Sequence, residues 1–207
     1  GTKTWVDGGK SHTNAREVKL TLTRTSKNVT EAETVAATPE WDENTYKYQN
    51  LDQYDSKGAA YTYHVSEEKI PGYTTSQEGN NFTNTISGTT EVEGTKTWVD
   101  DGAEHDNASE ITITLSRKSK KEGAKEEIVA DATPSWTGNT YKFENLPKYD
   151  SEGYEYEYTV SETKLPEGYT SSQEGNKFTN TKTGKTEVVG TKTWVDGGKS
   201  HTNAREV

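Results

Sequence analysis

With 207 residues of which only 27% are apolar, the chain is too sparse in hydrophobic side chains for one large core, and two small cores suit its length better. A formal net charge of −10 argues against the clustered cationic surface that nucleic acid requires. The absence of Cys excludes disulfides, thiol catalysis and cysteine-ligated zinc, so a small domain here needs some other staple. No apolar run reaches 18 residues and no basic-then-apolar leader or tail anchor is present, so no membrane insertion is expected; the chain reads as a segment whose targeting signals, if any, were removed.

The chain opens with Gly-Thr-Lys-Thr-Trp-Val-Asp, read as a strand that ends in a turn at Asp7-Gly8-Gly9. Val18 to Arg24 alternates apolar with polar residues and predicts a second strand; the polar stretch from Ser26 to Ala37 reads as a loop. Tyr46-Lys47-Tyr48 and Tyr61 to Val65 alternate in the same way, separated by a Tyr-Asp-Ser-x-Gly turn at Tyr54 to Gly58. Pro71-Gly72-Tyr73 and Phe82-Thr83-Asn84-Thr85 close the series, and no stretch keeps a helical period beyond two turns. Short strands punctuated by Gly and Pro predict an all-β protein, an antiparallel sandwich of about seven strands.

The whole series then recurs. Gly1 to Asp7 returns as Gly94 to Asp100 and Gly190 to Asp196, so one unit is one domain. Trp41, Tyr46, Leu51, Tyr54, Gly58 and Val65 match Trp136, Tyr141, Leu146, Tyr149, Gly153 and Val160, with length changes confined to polar, turn-like sites. Residues 190 to 207 repeat residues 1 to 18 letter for letter, which predicts that the parent chain alternates two unit types. The expected domains are therefore 1–88, 89–185 and an incomplete third repeat, 186–207. That last piece carries too little to bury a core and is expected to lack order unless it pairs with another chain.

Taken together, Lys-Thr-Trp-Val-Asp, Tyr-Lys-Tyr-Gln-Asn-Leu or Tyr-Lys-Phe-Glu-Asn-Leu, Leu-x-x-Tyr-Asp-Ser-x-Gly, Tyr-x-Val-Ser-Glu, Pro-Gly-Tyr or Pro-Glu-Gly-Tyr and closing Phe-Thr-Asn-Thr resemble the Cna protein B-type domain, twice and in order. The resemblance implies tandem β-sandwiches of reverse immunoglobulin-like topology, with the first and last strands adjacent. It also implies stalk or pilin modules of Gram-positive surface proteins, outside the cell and anchored to the wall in the full-length protein. A further implication is an intramolecular isopeptide bond between a first-strand Lys and a last-strand Asn, assisted by a Glu. Carried over by position, the trios are Lys3, Glu67 and Asn84, and Lys96, Glu162 and Asn180. Glu67 is preferred to Glu68 because it shares a strand face with inward Val65.

An amine attacks only when unprotonated, and an apolar cage disfavours the charged forms of amines and carboxyls alike. Neutral Lys3 would then attack the side-chain carbonyl carbon of Asn84, while Glu67 protonates the carbonyl oxygen and passes a proton to leaving ammonia. This is a single event per domain, so no enzyme, cofactor or metal is expected. Alone, each Lys reads as a solvated strand residue, each Glu as an edge charge and each Asn as a turn residue. Trp5, Trp41, Trp98 and Trp136 read as core or cage aromatics; His12, His64, His105 and His201 read as surface residues. The favoured function is a structural spacer whose partners are neighbouring repeats, with any host ligand held by a distal domain; the alternative is a module whose loops contact host protein or glycan.

Overall fold

The computed structural model describes residues 1–202 and is all-β, with each unit folded as a sandwich. The first unit comprises β1 (Lys3–Val6), a one-turn α1 (Asn14–Glu17), β2 (Leu20–Thr25), β3 (Glu33–Thr34), β4 (Glu40–Asp42), β5 (Thr45–Lys47), β6 (Thr62–Glu67), β7 (Tyr73–Glu78) and β8 (Asn81–Ile86). The second repeats the order: β9 (Thr89–Val99), α2 (Asn107–Glu110), β10 (Thr112–Ser119), β11 (Glu127–Ile128), β12 (Ser135–Thr137), β13 (Thr140–Pro147), β14 (Tyr156–Lys164), β15 (Tyr169–Glu174) and β16 (Lys177–Lys182). The strand beyond the expected seven is the two-residue β3 or β11, which lies within what reads as a polar loop and pairs with β2 or β10.

The first and last strands of each unit lie side by side and parallel, β1 against β8 and β9 against β16. In the second unit one sheet runs β12-β13-β9-β16-β15 and faces β11-β10-β14. The first unit matches this with β1-β8-β7 facing β3-β2-β6, the β4-β5 hairpin joining β1 through the Thr2 to Thr45 bridge. Alternation turns one face of each strand inward, so Leu22, Tyr46, Val65 and Phe82 form one core and Val92, Ile113, Leu115, Tyr141, Phe143, Val160 and Phe178 belong to the other. Trp41 and Trp136 pack on these cores, as expected. From the repeat beginning at Gly190, residues 203–207 lie outside the described residues; the rest forms no strand, and Val195 is exposed.

One close approach fixes where the opening strand enters each sheet. Tyr141 is fully buried and donates its hydroxyl to the Asn176 carbonyl at 2.7 Å, directly beneath Gly94. A Cβ on Gly94 would stand 2.0 Å from that carbonyl oxygen and 2.3 Å from the Tyr141 hydroxyl. Gly1 is placed identically over Tyr46 and Asn80. Gly94→Ala should therefore destabilise the second unit by ~2 kcal/mol or more, read by denaturant unfolding, because backbone as well as a buried ring must shift.

Candidate functional site

The inward face of β6 carries Val65 and then Glu67, whose side chain is fully buried, while Glu68 is exposed and pairs loosely with Lys19. On the facing sheet, β1 sets Lys3 beside Phe82 and β8 sets Asn84 beside Trp5. Lys3 is 1% exposed and Asn84 is 0% exposed, so an amine, a carboxyl and an amide converge with no water-facing side. The second unit repeats this with Lys96 at 1%, Asn180 at 0% and a buried Glu162. Both trios named from sequence are thus brought together.

The contacts are specific. Lys3 Nζ donates to Glu67 Oε1 at 3.1 Å, and Asn84 Nδ2 donates to the same oxygen at 2.6 Å. In the second unit Lys96 Nζ and Asn180 Nδ2 reach Glu162 Oε1 at 2.8 and 3.0 Å. The carbonyl oxygens of Asn84 and Asn180 are buried without a hydrogen-bond partner among the described residues, and each carboxyl meets the amide nitrogen. Ser171 donates to Glu162 Oε2 at 2.5 Å, whereas Glu67 Oε2 faces only the Lys3 amine, at 3.0 Å and off the hydrogen-bond direction. The Trp5 ring lies 4.6 Å from the Lys3 amine and Trp98 lies 4.8 Å from that of Lys96, so both close the cage. Burial lowers both lysines from their ordinary value, and the neighbouring carboxyl opposes that only in part.

A second buried cluster, unnoticed in the sequence, backs each cage. His12 stacks on Trp5 at 3.7 Å, and Trp5 Nε1 donates to Asn14 at 2.8 Å; buried Asn14, on α1, in turn donates to the Glu43 carbonyl and to Asn44, both at 3.0 Å. His12 and His105 are therefore not surface residues, whereas His64 is exposed. Both nitrogens of His12 face carboxylates, Asp7 Oδ2 at 2.5 Å and Glu17 Oε2 at 2.6 Å, an arrangement that only the imidazolium satisfies. Tyr73 donates to Asp7 at 2.9 Å and is pushed up to about 12 by burial and by that carboxylate. Burial alone would lower His12, but Glu17 and Asp7 outweigh it and raise the ring above its ordinary value. Trp98, Asp100, His105, Asn107, Glu110 and Tyr169 rebuild the cluster, and His201 stacks on Trp194 and meets Asp196.

The family described as the Cna protein B-type domain matches residues 1–85 and again residues 92–181. The chain is 32% identical over 208 residues to a collagen adhesin of Staphylococcus aureus, a match covering 94% of this chain and 16% of that protein, so it spans about a sixth of that relative's length. Among solved structures, it is similar to a single B repeat unit of the collagen-binding surface protein of S. aureus, with 26% identity, TM-score 0.30, and 88% and 96% of the two chains covered. It is also similar to the shaft pilin SpaA of Lactobacillus rhamnosus GG, with 15% identity, TM-score 0.27, and 90% and 98% covered.

The sign of the histidine effect follows from its partners. A raised imidazole contributes stability that is complete below its ordinary value near 6.5 and is lost as pH climbs through the raised value. Asp7, Asp100, Glu17 and Glu110 are lowered, so their contribution is present above the ordinary carboxylate range and is lost in acid. A proton-detected titration should give midpoints above 6.5 for His12 and His105. Asp7→Asn should bring His12 down and leave His105 unmoved; an unchanged His12 midpoint would show that Asp7 does not hold the imidazolium.

Proposed function

The chain belongs to the Cna protein B-type domain family, found in surface adhesins and pilins of Gram-positive bacteria, and on that premise we propose that it is a run of load-bearing spacer repeats, each locked by its own lysine–asparagine amide. The units are residues 1–88 and 89–185, followed by the opening of a third, 186–207. The observation that carries this reading is that one carboxyl oxygen, Glu67 Oε1 or Glu162 Oε1, touches both nitrogens that must exchange a proton.

In the proposed step, Lys3 gives up a proton through Glu67 and its neutral Nζ adds to Asn84 Cγ. The Cγ–Nδ2 bond then breaks as the proton held by Glu67 passes to Nδ2 and ammonia leaves, while the added Nζ returns its second proton to Glu67, which ends protonated; one amide replaces another and no oxidant or cofactor is consumed. Two features favour the product. Desolvation already biases the amine toward its neutral form, and the reaction exchanges a buried ion pair, costly to keep dry, for a neutral amide. Glu162 should act in the same way on Lys96 and Asn180, with Ser171 holding its second oxygen in place.

The bond would close a loop of about 80 residues and, by the chain-entropy argument, stabilise each unit by roughly 4 to 5 kcal/mol. Its mechanical role is larger. The opening and closing strands are adjacent, so tension entering at one and leaving at the other would pass through a covalent amide instead of the sandwich. The alternating repeats make such a chain long, and the Trp residues shared by both units line cages and cores, which suits a spacer better than a glycan platform. Placement outside the cell with anchorage to the wall, and a host ligand on a domain beyond this segment, complete the proposal.

Intact mass of the denatured chain tests it directly, since each bond expels ammonia and removes about 17 Da. The expected deficit is about twice that. It should fall by one bond in Lys3→Ala or Glu67→Gln and by the other in Lys96→Ala or Glu162→Gln. A full unmodified mass in a folded chain would overturn the crosslink.

A further inference from the structure

The two units meet at one small joint. Gly8, at the tip of the Asp7 to Lys10 loop, donates its N–H to the Glu152 carbonyl at 3.0 Å. Gly153 in that turn is buried, and a Cβ there would stand 2.3 Å from the Asp7 Cα. A Cβ on Gly8 would lie 3.1 Å from the Gly153 carbonyl oxygen and 3.3 Å from the Tyr154 ring. Lys10 faces the same turn: the Glu155 carboxyl is held below its ordinary value first by Lys120, then by Lys148, and also by Lys10 from across the joint.

Each unit carries both halves of such a joint, and the uncovered halves are exposed. Gly58, the counterpart of Gly153, has no described atom near its Cβ position, and Tyr54 in the same turn is 55% exposed. At the other end Val99, the counterpart of Val6, is 50% exposed beside the Asp100 to Glu104 loop. That loop keeps its backbone, because Asp101 has φ 67° where Gly8 has 75°. Size and charge, however, are exchanged. The first unit offers a small, basic loop, Gly8-Gly9-Lys10, to a large, acidic turn, Glu152-Gly153-Tyr154-Glu155. The second offers a larger, acidic loop, Asp101-Gly102-Ala103-Glu104, where the first unit's turn is small and basic, Lys57-Gly58-Ala59-Ala60.

We propose that the Tyr54 to Ala60 turn is a docking surface for the Asp100 to Glu104 loop of a preceding second-type unit, and that these exchanged sizes and charges permit only alternating neighbours. A first-type loop on a first-type turn would leave Lys10 facing Ala60 in place of Glu155 and open a gap at Ala59. A second-type loop on a second-type turn would drive Asp101 into Tyr154 and oppose carboxylates. The chain itself supplies the required partner, because a first-type sequence follows the second unit from Gly190. The inference rests on the tandem arrangement and not on the proposed crosslinks.

The existing chain tests it, since without cysteines it can be labelled at will. Spin labels on Lys47→Cys and Ser172→Cys, both exposed, report the distance between units. The unaltered joint should give one narrow distribution. Gly8→Asp, a residue the second unit tolerates at this backbone angle, should broaden it at least twofold. Adding Glu152→Lys and Tyr154→Ala, which recreates the other pairing, should restore the narrow form. Intact mass and the folded amide spectrum, read on every sample, separate a lost joint from a lost fold or crosslink. A broad distribution in the unaltered chain, no broadening by Gly8→Asp, or no rescue by the combined variant would overturn the proposal. A chain lengthened after Val207 by a copy of residues 19 to 88 gives the second check: its new joint should be narrow, and Ala59→Tyr in the added copy should broaden it.

Discussion

Burying a lysine amine against a single carboxyl group is the constraint around which each unit is arranged. Such a pair is expensive to hold away from water, and it is tolerated only where the surrounding contacts are fixed. That requirement explains why the opening strand lies parallel to the closing one, since no other pairing sets Lys3 beside Phe82 and Asn84 beside Trp5 on one face. It explains the tryptophan beneath each amine, which excludes solvent and favours whatever positive charge remains. It also gives a purpose to the histidine cluster behind the tryptophan. A ring stacked at 3.7 Å and tied to two carboxylates is a rigid wall, and a rigid wall keeps the amine aligned.

The aromatic frame and the two trios were legible because they recur at matching positions within an alternating pattern, and period-two alternation decides which of two adjacent residues faces inward. Glu67 over Glu68 is the clearest case. His12 and His105 differ from the surface residues expected for a physical reason: their partners are a ring two strand positions beyond the lysine and carboxylates five residues away on either side. The signal was present: Trp5, Asp7, His12, Asn14 and Glu17 all return 93 residues later, whereas His64 becomes Thr159. Asn14 and Asn107 were invisible for another reason, since nothing in a one-turn helix announces that its first amide is buried beneath an indole. The orientation of the Asn84 amide depends on a rotation about one side-chain bond, which no sequence pattern encodes.

The joint illustrates how much positional information a repeat can carry in very few residues. Turn and loop keep the same backbone in both units, so the scaffold is common and only the side chains at its tips differ. Long repeated proteins are prone to pairing the wrong copies as they fold. Exchanging size and charge together would address that hazard with few substitutions, because an incorrect neighbour meets a steric misfit and loses the favourable charge pairing.

Strand β9 carries a separate consequence. It is 11 residues long and is bound on two sides in two halves: Thr89 to Thr95 lies antiparallel to β13, and Thr95 to Val99 lies parallel to β16. Only Lys96 to Val99 lies within the span that the proposed amide would fix. The segment from Asn84 to Lys96 is thus the sole stretch of backbone between one lock and the next, about 40 Å at full extension. Under a pull, β9 could peel from β13 residue by residue, like a zip, and close again when the load falls. A fibre built this way would have stiff links and a short, recoverable give at every junction, with its compliance set by hydrogen bonds and its strength by amides.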